Sequence, residues 1–252
     1  MELAAAVLER LAAARSLVVF TGAGVSQESG LDVFRGPGGS WERFRPEDLA
    51  TPEAFARDPE RVWRWYRQRF ESMRAAEPNP AHRTIARWGE LFASSLVVTQ
   101  NVDGLHQRAG SRDVVELHGC LRESFCAGCG ATRPTADLLE SAGASEIPPP
   151  CRCGALFRPA VVWFGERLPE LEVERAAEAA RGADAFLVVG TSATVWPAAG
   201  LIEVAAAAGA LVVEVNREPS ALSGLADATL LGAAGEILPA IDRELEAWRS
   251  RS

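Results

Sequence analysis

Four short apolar runs set the rhythm of this chain. Ser16–Thr21 (SLVVFT), Ser95–Gln100 (SLVVTQ), Ala185–Gly190 (AFLVVG) and Ala210–Val215 (ALVVEV) are rich in β-branched residues and lack a clean in–out alternation. Such runs predict strands covered on both faces, as in a parallel sheet. Between them, apolar positions recur at helical spacing. They predict helices over residues 2–14, Pro80–Phe92, Glu172–Arg181, Pro197–Ala208 and Glu236–Arg249. The alternation predicts an α/β fold built on a Rossmann-like, doubly wound parallel sheet.

Two stretches break the rhythm. Residues 36–79 carry Gly, Pro and three of the seven tryptophans, with a helix expected near Pro59–Arg74. Residues 120–158 hold close cysteine pairs around a proline-rich turn, Pro148–Pro150. We expect a helical insertion (36–81) and a cysteine-bearing module (120–158) to form a smaller lobe. The larger domain would then be assembled from 1–35, 82–119 and 159–252.

Composition narrows the chemistry. The 252 residues include no lysine; all 26 basic positions are arginine. That excludes a protein Schiff base and a Walker-type phosphate loop, both of which need a lysine. The net charge of −8 disfavours a general electrostatic grip on nucleic acid. The longest apolar stretch, Val204–Val213, is broken by Gly209 and falls far short of the roughly 18 residues of a membrane span. The N-terminus has Glu2 and Glu9 where a secretory signal would be basic or apolar, so a cytoplasmic location is expected.

Five cysteines in such a chain argue against a disulfide framework. Cys126-x-x-Cys129 and Cys151-x-Cys153 together offer four thiolates, the donor set of a closed, structural zinc site. The second pair is one residue shorter than the usual spacing. Cys120 has no partner in sequence and reads as a small buried apolar residue.

The strand ends carry the polar chemistry. The first strand runs into Thr21-Gly22-Ala23-Gly24-Val25-Ser26, where a Gly-x-Gly lets backbone N–H groups approach a phosphate. Gln27 stands where the third glycine of the dinucleotide fingerprint would be, and a simple tight turn is the competing reading. Gly190-Thr191-Ser192 and Asn216 end two further strands, and ligands of open α/β sheets bind outside such carboxyl ends. Gln100-Asn-Val-Asp-Gly-Leu-His106 follows a fourth strand. It reads either as a polar pocket or as a turn capped by its own Asn and Asp. Of the three histidines, His118 is the best general-base candidate, because imidazole titrates near neutral pH.

Taken in order, Gly22-Ala-Gly-Val-Ser-x-x-Ser-Gly30, Phe34-Arg35-Gly36, Gln100–His106, Leu117-His118-Gly119, the cysteine pairs, Val162-Trp-Phe-Gly-Glu166, Gly190-Thr-Ser192 and Val215-Asn216 resemble the sirtuins, NAD-dependent protein-lysine deacylases. The resemblance implies that Gly22, Ala23, Gly24, Ser26, Gly190, Thr191, Ser192, Asn216 and Ala234 hold the ADP-ribose end of NAD. Gln100, Asn101 and Asp103 would surround its nicotinamide and ribose, under a loop bearing Phe34 and Arg35. Val162, Phe164, Gly165, Glu166 and Val195 would bracket an acyl-lysine peptide added as a strand. His118 would take a proton from a ribose hydroxyl. The products would be free lysine, nicotinamide and an O-acyl-ADP-ribose, with Cys126, Cys129, Cys151 and Cys153 holding one zinc ion that takes no part in bond making. The chain departs from the family pattern at Asp32 and Val33, where a proline and an aspartate are usual.

Tyr66 and Arg69 are three residues apart on the inserted helix and so share a face. This Tyr-x-x-Arg resembles the marker of sirtuins that remove succinyl, malonyl and glutaryl groups. A guanidinium forks onto a terminal carboxylate and a phenol donates a second hydrogen bond. The competing reading is a basic surface helix with Arg61, Arg64 and Arg67. Acetyl removal is expected alongside. Protein mono-ADP-ribosylation, a non-catalytic NAD-binding sensor and a zinc-ribbon nucleic-acid module are the other functions weighed. His118 and the Tyr66–Arg69 pair argue against the first, His118 and the Gln-Asn-x-Asp set against the second, and the charge against the third.

Overall fold

A computed structural model describes residues 4–34, 39, 42, 44–142 and 149–251. In chain order, α1 (Ala5–Ala13) leads into β1 (Ser16–Thr21) and a 3-10 turn over Ala23–Ser29. Short helices α2 (Pro46–Leu49) and α3 (Pro52–Arg57) precede the long α4 (Pro59–Ala75). Then come α5 (Pro80–Leu91), β2 (Ser94–Thr99), α6 (Leu105–Arg108), β3 (Val114–Glu116), β4 (Gly119–Cys126), β5 (Thr132–Pro134) and α7 (Thr135–Ala142). The chain ends with β6 (Phe157–Val161), α8 (Glu170–Arg181), β7 (Ala185–Val189), α9 (Gly200–Ala207), β8 (Leu211–Asn216), β9 (Ala228–Leu231) and α10 (Ala234–Arg249).

Six strands form one parallel sheet in the order β3-β2-β1-β7-β8-β9. Alternation within each apolar run sends side chains into two separate cores. Leu17 and Val19 join Val97, Leu187 and Val213 under α1, α5 and α10. Val18 and Phe20 join Val98, Phe186 and Val212 under α8 and α9. Both faces are dry, which is why the runs show no polar alternation. The four strands expected from sequence are present, each end within one residue of its expected place. The sheet also has β3 and β9, too short to carry a periodic signal. The helix expected from Pro197 begins at Gly200, because residues 197–199 form tighter turns, with Gly200 N–H donating to the Pro197 carbonyl.

A second, antiparallel sheet orders β5-β4-β6. Helix α4 packs on it. Trp63 is wholly buried among Cys126, Leu138 and Phe157, and its indole N–H donates to the Phe157 carbonyl at 2.7 Å. The helix starts cleanly: the Asp58 carboxylate accepts from Arg61 N–H at 3.0 Å and Pro59 occupies the first turn. Among the described residues no helix is long and apolar enough to cross a membrane.

Candidate active site

The strand order reverses at β1, whose neighbours β2 and β7 lead away in opposite directions. Loops leaving such a switch point diverge and open a crevice. Here the crevice has a volume of about 470 Å³. Its floor is three backbones in contact. Gly22 N–H donates to the Val189 carbonyl at 3.1 Å and Gly24 N–H to the Gly190 carbonyl at 2.8 Å. A Cβ on Gly22 would lie 2.7 Å from Thr191 Cβ, and one on Gly24 would lie 2.8 Å from the Gly190 oxygen. Gly190 has φ +61°, and a Cβ there would lie 2.3 Å from Val25 N. No side chain fits this cradle. Behind Gly24 the chain makes only the 3-10 turn, ended by Gly30 at φ +84°, which accounts for Gln27 in place of a third glycine. Asn216 closes the far side by donating from Nδ2 to the Thr191 carbonyl at 2.8 Å. Gly22, Ala23, Gly24, Phe34, Gln100, Asn101, Thr191, Ser192, Asn216 and Ala234 all line the crevice.

Ser26 and Asp103 lie behind its wall. Ser26 Oγ donates to Asp103 Oδ2 at 2.8 Å and accepts from Asn101 Nδ2 at 3.2 Å, while the same amide donates to the Gly22 carbonyl at 3.1 Å. They fix Asn101 against the cradle. Burial pushes the Asp103 carboxyl up, opposed by the Leu105 N–H and the Ser26 hydroxyl. Deeper still, His82 and His106 meet with ring centroids 4.9 Å apart, and His106 Nε2 lies 3.0 Å from Thr21 Oγ1. Burial depresses both imidazoles, His82 to about 4. Arg35 lies outside the described residues.

His118 stands on the turn between β3 and β4 and lines the crevice. Its Nδ1 is 3.0 Å from the Gln100 carbonyl oxygen. A carbonyl only accepts, so Nδ1 carries the proton and Nε2 keeps its lone pair. Burial lowers the imidazole pKa, partly offset by this hydrogen bond. The ring is therefore a neutral base at neutral pH. The neighbouring strand is tied to it, since Val162 N–H donates to the His118 carbonyl at 2.9 Å.

Helix α4 delivers Tyr66 and Arg69 to the same crevice. The Arg69 guanidinium lies 4.4 Å from the Phe34 ring centroid and 4.9 Å from that of Trp65. Burial lowers its pKa, opposed by Tyr66 and Asp32. Tyr66 is buried, and its phenol is pushed up to about 12 by desolvation, with the Trp163 hydrogen bond working the other way. Val162, Phe164, Gly165, Glu166 and Val195 line the outer part of the crevice. The Glu166 carboxylate is committed inward: it pairs with the buried Arg158 and accepts from Trp163 N–H at 2.8 Å. Trp163, Trp65, Gln27 and Val33 also line the crevice, without being expected there from the sequence. No spacing rule singles them out, although Trp163 sits inside the Val162–Glu166 motif.

The four cysteines of the two pairs converge, with sulfurs within 4.8 Å of one another. Cys126 and Cys153 sulfurs are 3.4 Å apart and those of Cys129 and Cys151 are 3.8 Å apart. A tetrahedral zinc with Zn–S bonds of ~2.3 Å needs sulfurs about 3.8 Å apart. The Gly128 and Cys129 N–H groups point at Cys126 Sγ, at 3.4 and 3.5 Å, as they would to support a thiolate. The set fits a structural zinc ion, and the shortened second pair does not prevent it.

Comparison with known proteins decides the family. The Sir2 family profile matches residues 22–197, more than half of the chain. The chain belongs to the Sir2 family. Among its sirtuin relatives, the "NAD-dependent protein deacylase 2" of Pyrobaculum aerophilum is 53% identical over 241 residues, 95% of each chain. A mutant Sir2 homologue solved with ADP-ribose superposes with a TM-score of 0.93 at 43% identity, covering 99% of both chains. A Sir2 solved with a p53 peptide and NAD+ gives 0.89 at 32% identity, covering 98% of this chain and 100% of the other. The sirtuin fold is thus present over nearly the whole chain, with its glycine cradle and its four-cysteine module.

Proposed function

We propose that this sirtuin is an NAD-dependent protein-lysine deacylase with a preference for acyl groups that end in a carboxylate. One observation carries the reading. A neutral His118, fixed through Nδ1, shares a single crevice with a glycine cradle and with the Tyr66–Arg69 pair. NAD bound in the crevice supplies an electrophilic ribose carbon with nicotinamide as its leaving group. Gly22, Gly24, Thr191 and Asn216 would hold the diphosphate and adenosine end through backbone and amide groups. Gln100 is steadied by donating from Nε2 to Thr191 Oγ1 at 2.9 Å. With Asn101 it would border the nicotinamide.

His118 would accept a ribose hydroxyl proton at Nε2, leaving the ribose oxygen to capture the acyl carbon. The acyl-lysine peptide would lie as an added strand between Phe164–Glu166 and Val195, using backbone hydrogen bonds that tolerate many sequences. With the acyl oxygen taking the ribose carbon that nicotinamide leaves, and one water adding to the acyl carbon as its bond to the lysine nitrogen breaks, the products would be free lysine, nicotinamide and O-acyl-ADP-ribose. Arg69, held between aromatic faces, would fork onto a terminal carboxylate, and Tyr66 would add a hydrogen bond. Charge-assisted bonds of this kind contribute roughly 1.5–3 kcal/mol, or about ten- to hundredfold in preference.

A panel of succinyl-, malonyl-, glutaryl- and acetyl-lysine peptides with NAD tests this, with mass spectrometry of peptide and nucleotide products. Wild-type protein should release each acyl group onto ADP-ribose, acidic ones fastest, and His118→Tyr should release none. Gain of an ADP-ribose mass on the peptide or protein, without acyl loss, would overturn the deacylase reading.

A further inference from the structure

Tyr66 is the single tyrosine of the chain, and its hydroxyl is not left to find its own orientation. The Trp163 indole N–H lies 2.9 Å from the phenolic oxygen. An indole nitrogen donates and never accepts, so the phenolic oxygen is the acceptor here. Among the described residues this is the hydroxyl's one hydrogen bond. The phenolic proton must therefore be directed at something other than Trp163, and Tyr66 lines the crevice.

Trp163 is itself clamped on three sides. Its backbone N–H donates to Glu166. The Arg158 guanidinium lies over its ring at 3.3 Å from the centroid. Arg158 is in turn held by both carboxylate oxygens of Glu166 and by the Val161 carbonyl at 3.0 Å. Phe55 packs on the indole with centroids 5.4 Å apart. At 2% exposure the indole has little freedom to turn.

We infer that Trp163 is a specificity-positioning residue: its indole N–H occupies the acceptor side of the Tyr66 hydroxyl and so presents the phenolic proton to an acyl carboxylate. Accepting one hydrogen bond polarises a hydroxyl and strengthens the one it donates. The Arg158–Glu166 pair acts through Trp163 by holding the indole in register. This rests on the acidic-acyl reading of Tyr66 and Arg69, and deepens it.

The test compares Trp163→Phe, Tyr66→Phe and the double variant, each scored as the ratio of kcat/KM on succinyl- and acetyl-lysine versions of one peptide. The ratio cancels any general loss of folding or NAD binding. Each single variant should lower it about tenfold, the effect of one hydrogen bond to a charged group, mainly through KM for the succinyl peptide. The double variant should fall no further than Tyr66→Phe alone. Labelling tyrosine with carbon-13 at Cζ gives one resonance, from Tyr66. It should move in Trp163→Phe, and in wild type on adding succinyl but not acetyl peptide. A wild-type ratio near one would remove the acidic-acyl reading itself. A wild-type preference that survives intact in Trp163→Phe, or independent losses that multiply in the double variant, would overturn the positioning role alone.

Discussion

The Nδ1 atom of His118 sits 3.0 Å from the carbonyl oxygen of Gln100, the residue that opens the polar turn after β2. This contact fixes the tautomer and leaves Nε2 basic. Burial holds the imidazole below its ordinary pKa, so the base stays neutral into mildly acidic solution. The acid limb of kcat/KM should have its midpoint below about 6.5, the ordinary imidazole value. A midpoint above that value, measured with a non-titrating acetyl peptide, would contradict the assignment.

Gly190 is the tightest point of the cradle. Gly190→Ala would force a Cβ to 2.3 Å from Val25 N at φ +61°. It should lower stability by at least about 2 kcal/mol and abolish NAD binding. Gly30→Ala is the control: its φ is +84° but the space is open, so it should cost only about 1 kcal/mol. Thermal unfolding and calorimetric NAD titration separate the two.

Arg69→Met keeps a long apolar side chain between Phe34 and Trp65 but removes the fork. It should depress desuccinylation ten- to hundredfold more than deacetylation, from the loss of charge-assisted hydrogen bonds. Equal losses on both peptides would remove Arg69 from the acyl site. Arg69→Lys should recover only part of the preference, because an ammonium is a point charge without the planar fork.

His82 and His106 are buried side by side and depressed by desolvation. A histidine whose folded pKa is lowered binds its proton more readily when unfolded. Stability is therefore level above about 6.5 and falls as pH drops toward the folded value, which for His82 is about 4. Near pH 4 the loss attributable to His82 should reach about 3 kcal/mol. Denaturant midpoints measured from pH 7 to 4 should show it, and His82→Gln should make the decline shallower.

Removing the metal should be destructive. The cysteine sulfurs close together beside the small sheet, and Cys126, at the end of β4, belongs to the same buried cluster as Trp63. A strong chelator should lower the unfolding temperature and abolish deacylation together. Full activity in protein verified as metal-free would contradict a structural zinc.

The large sheet was legible because its four central strands are unbroken apolar runs of five or six residues whose ends are glycine or polar. The chemistry at those ends was legible for the same reason: amide side chains placed just after a buried strand are costly unless they cap a turn or face a ligand. Strands β3 and β9 were not, at three and four residues, because periodicity needs more length than that. The support beneath the site was also hidden. Trp163 and Tyr66 meet across 97 positions of sequence, and the commitment of Glu166 to Arg158 depends on the turn after β6. Such contacts are made by tertiary packing alone, and no local pattern encodes them.

One helical turn of α4 separates Trp63, anchored to the carbonyl of Phe157 in the cysteine-bearing sheet, from Tyr66 at the crevice. By that spacing the two side chains sit one turn apart on nearly the same face of one rigid rod. An engineer who grafted Tyr66 and Arg69 onto another scaffold would have to carry the small sheet with them, since the rod's axial rotation is set one turn away by Trp63. Likewise, small changes along α4 reach one wall of the crevice, while the glycine floor, built from other segments, stays untouched.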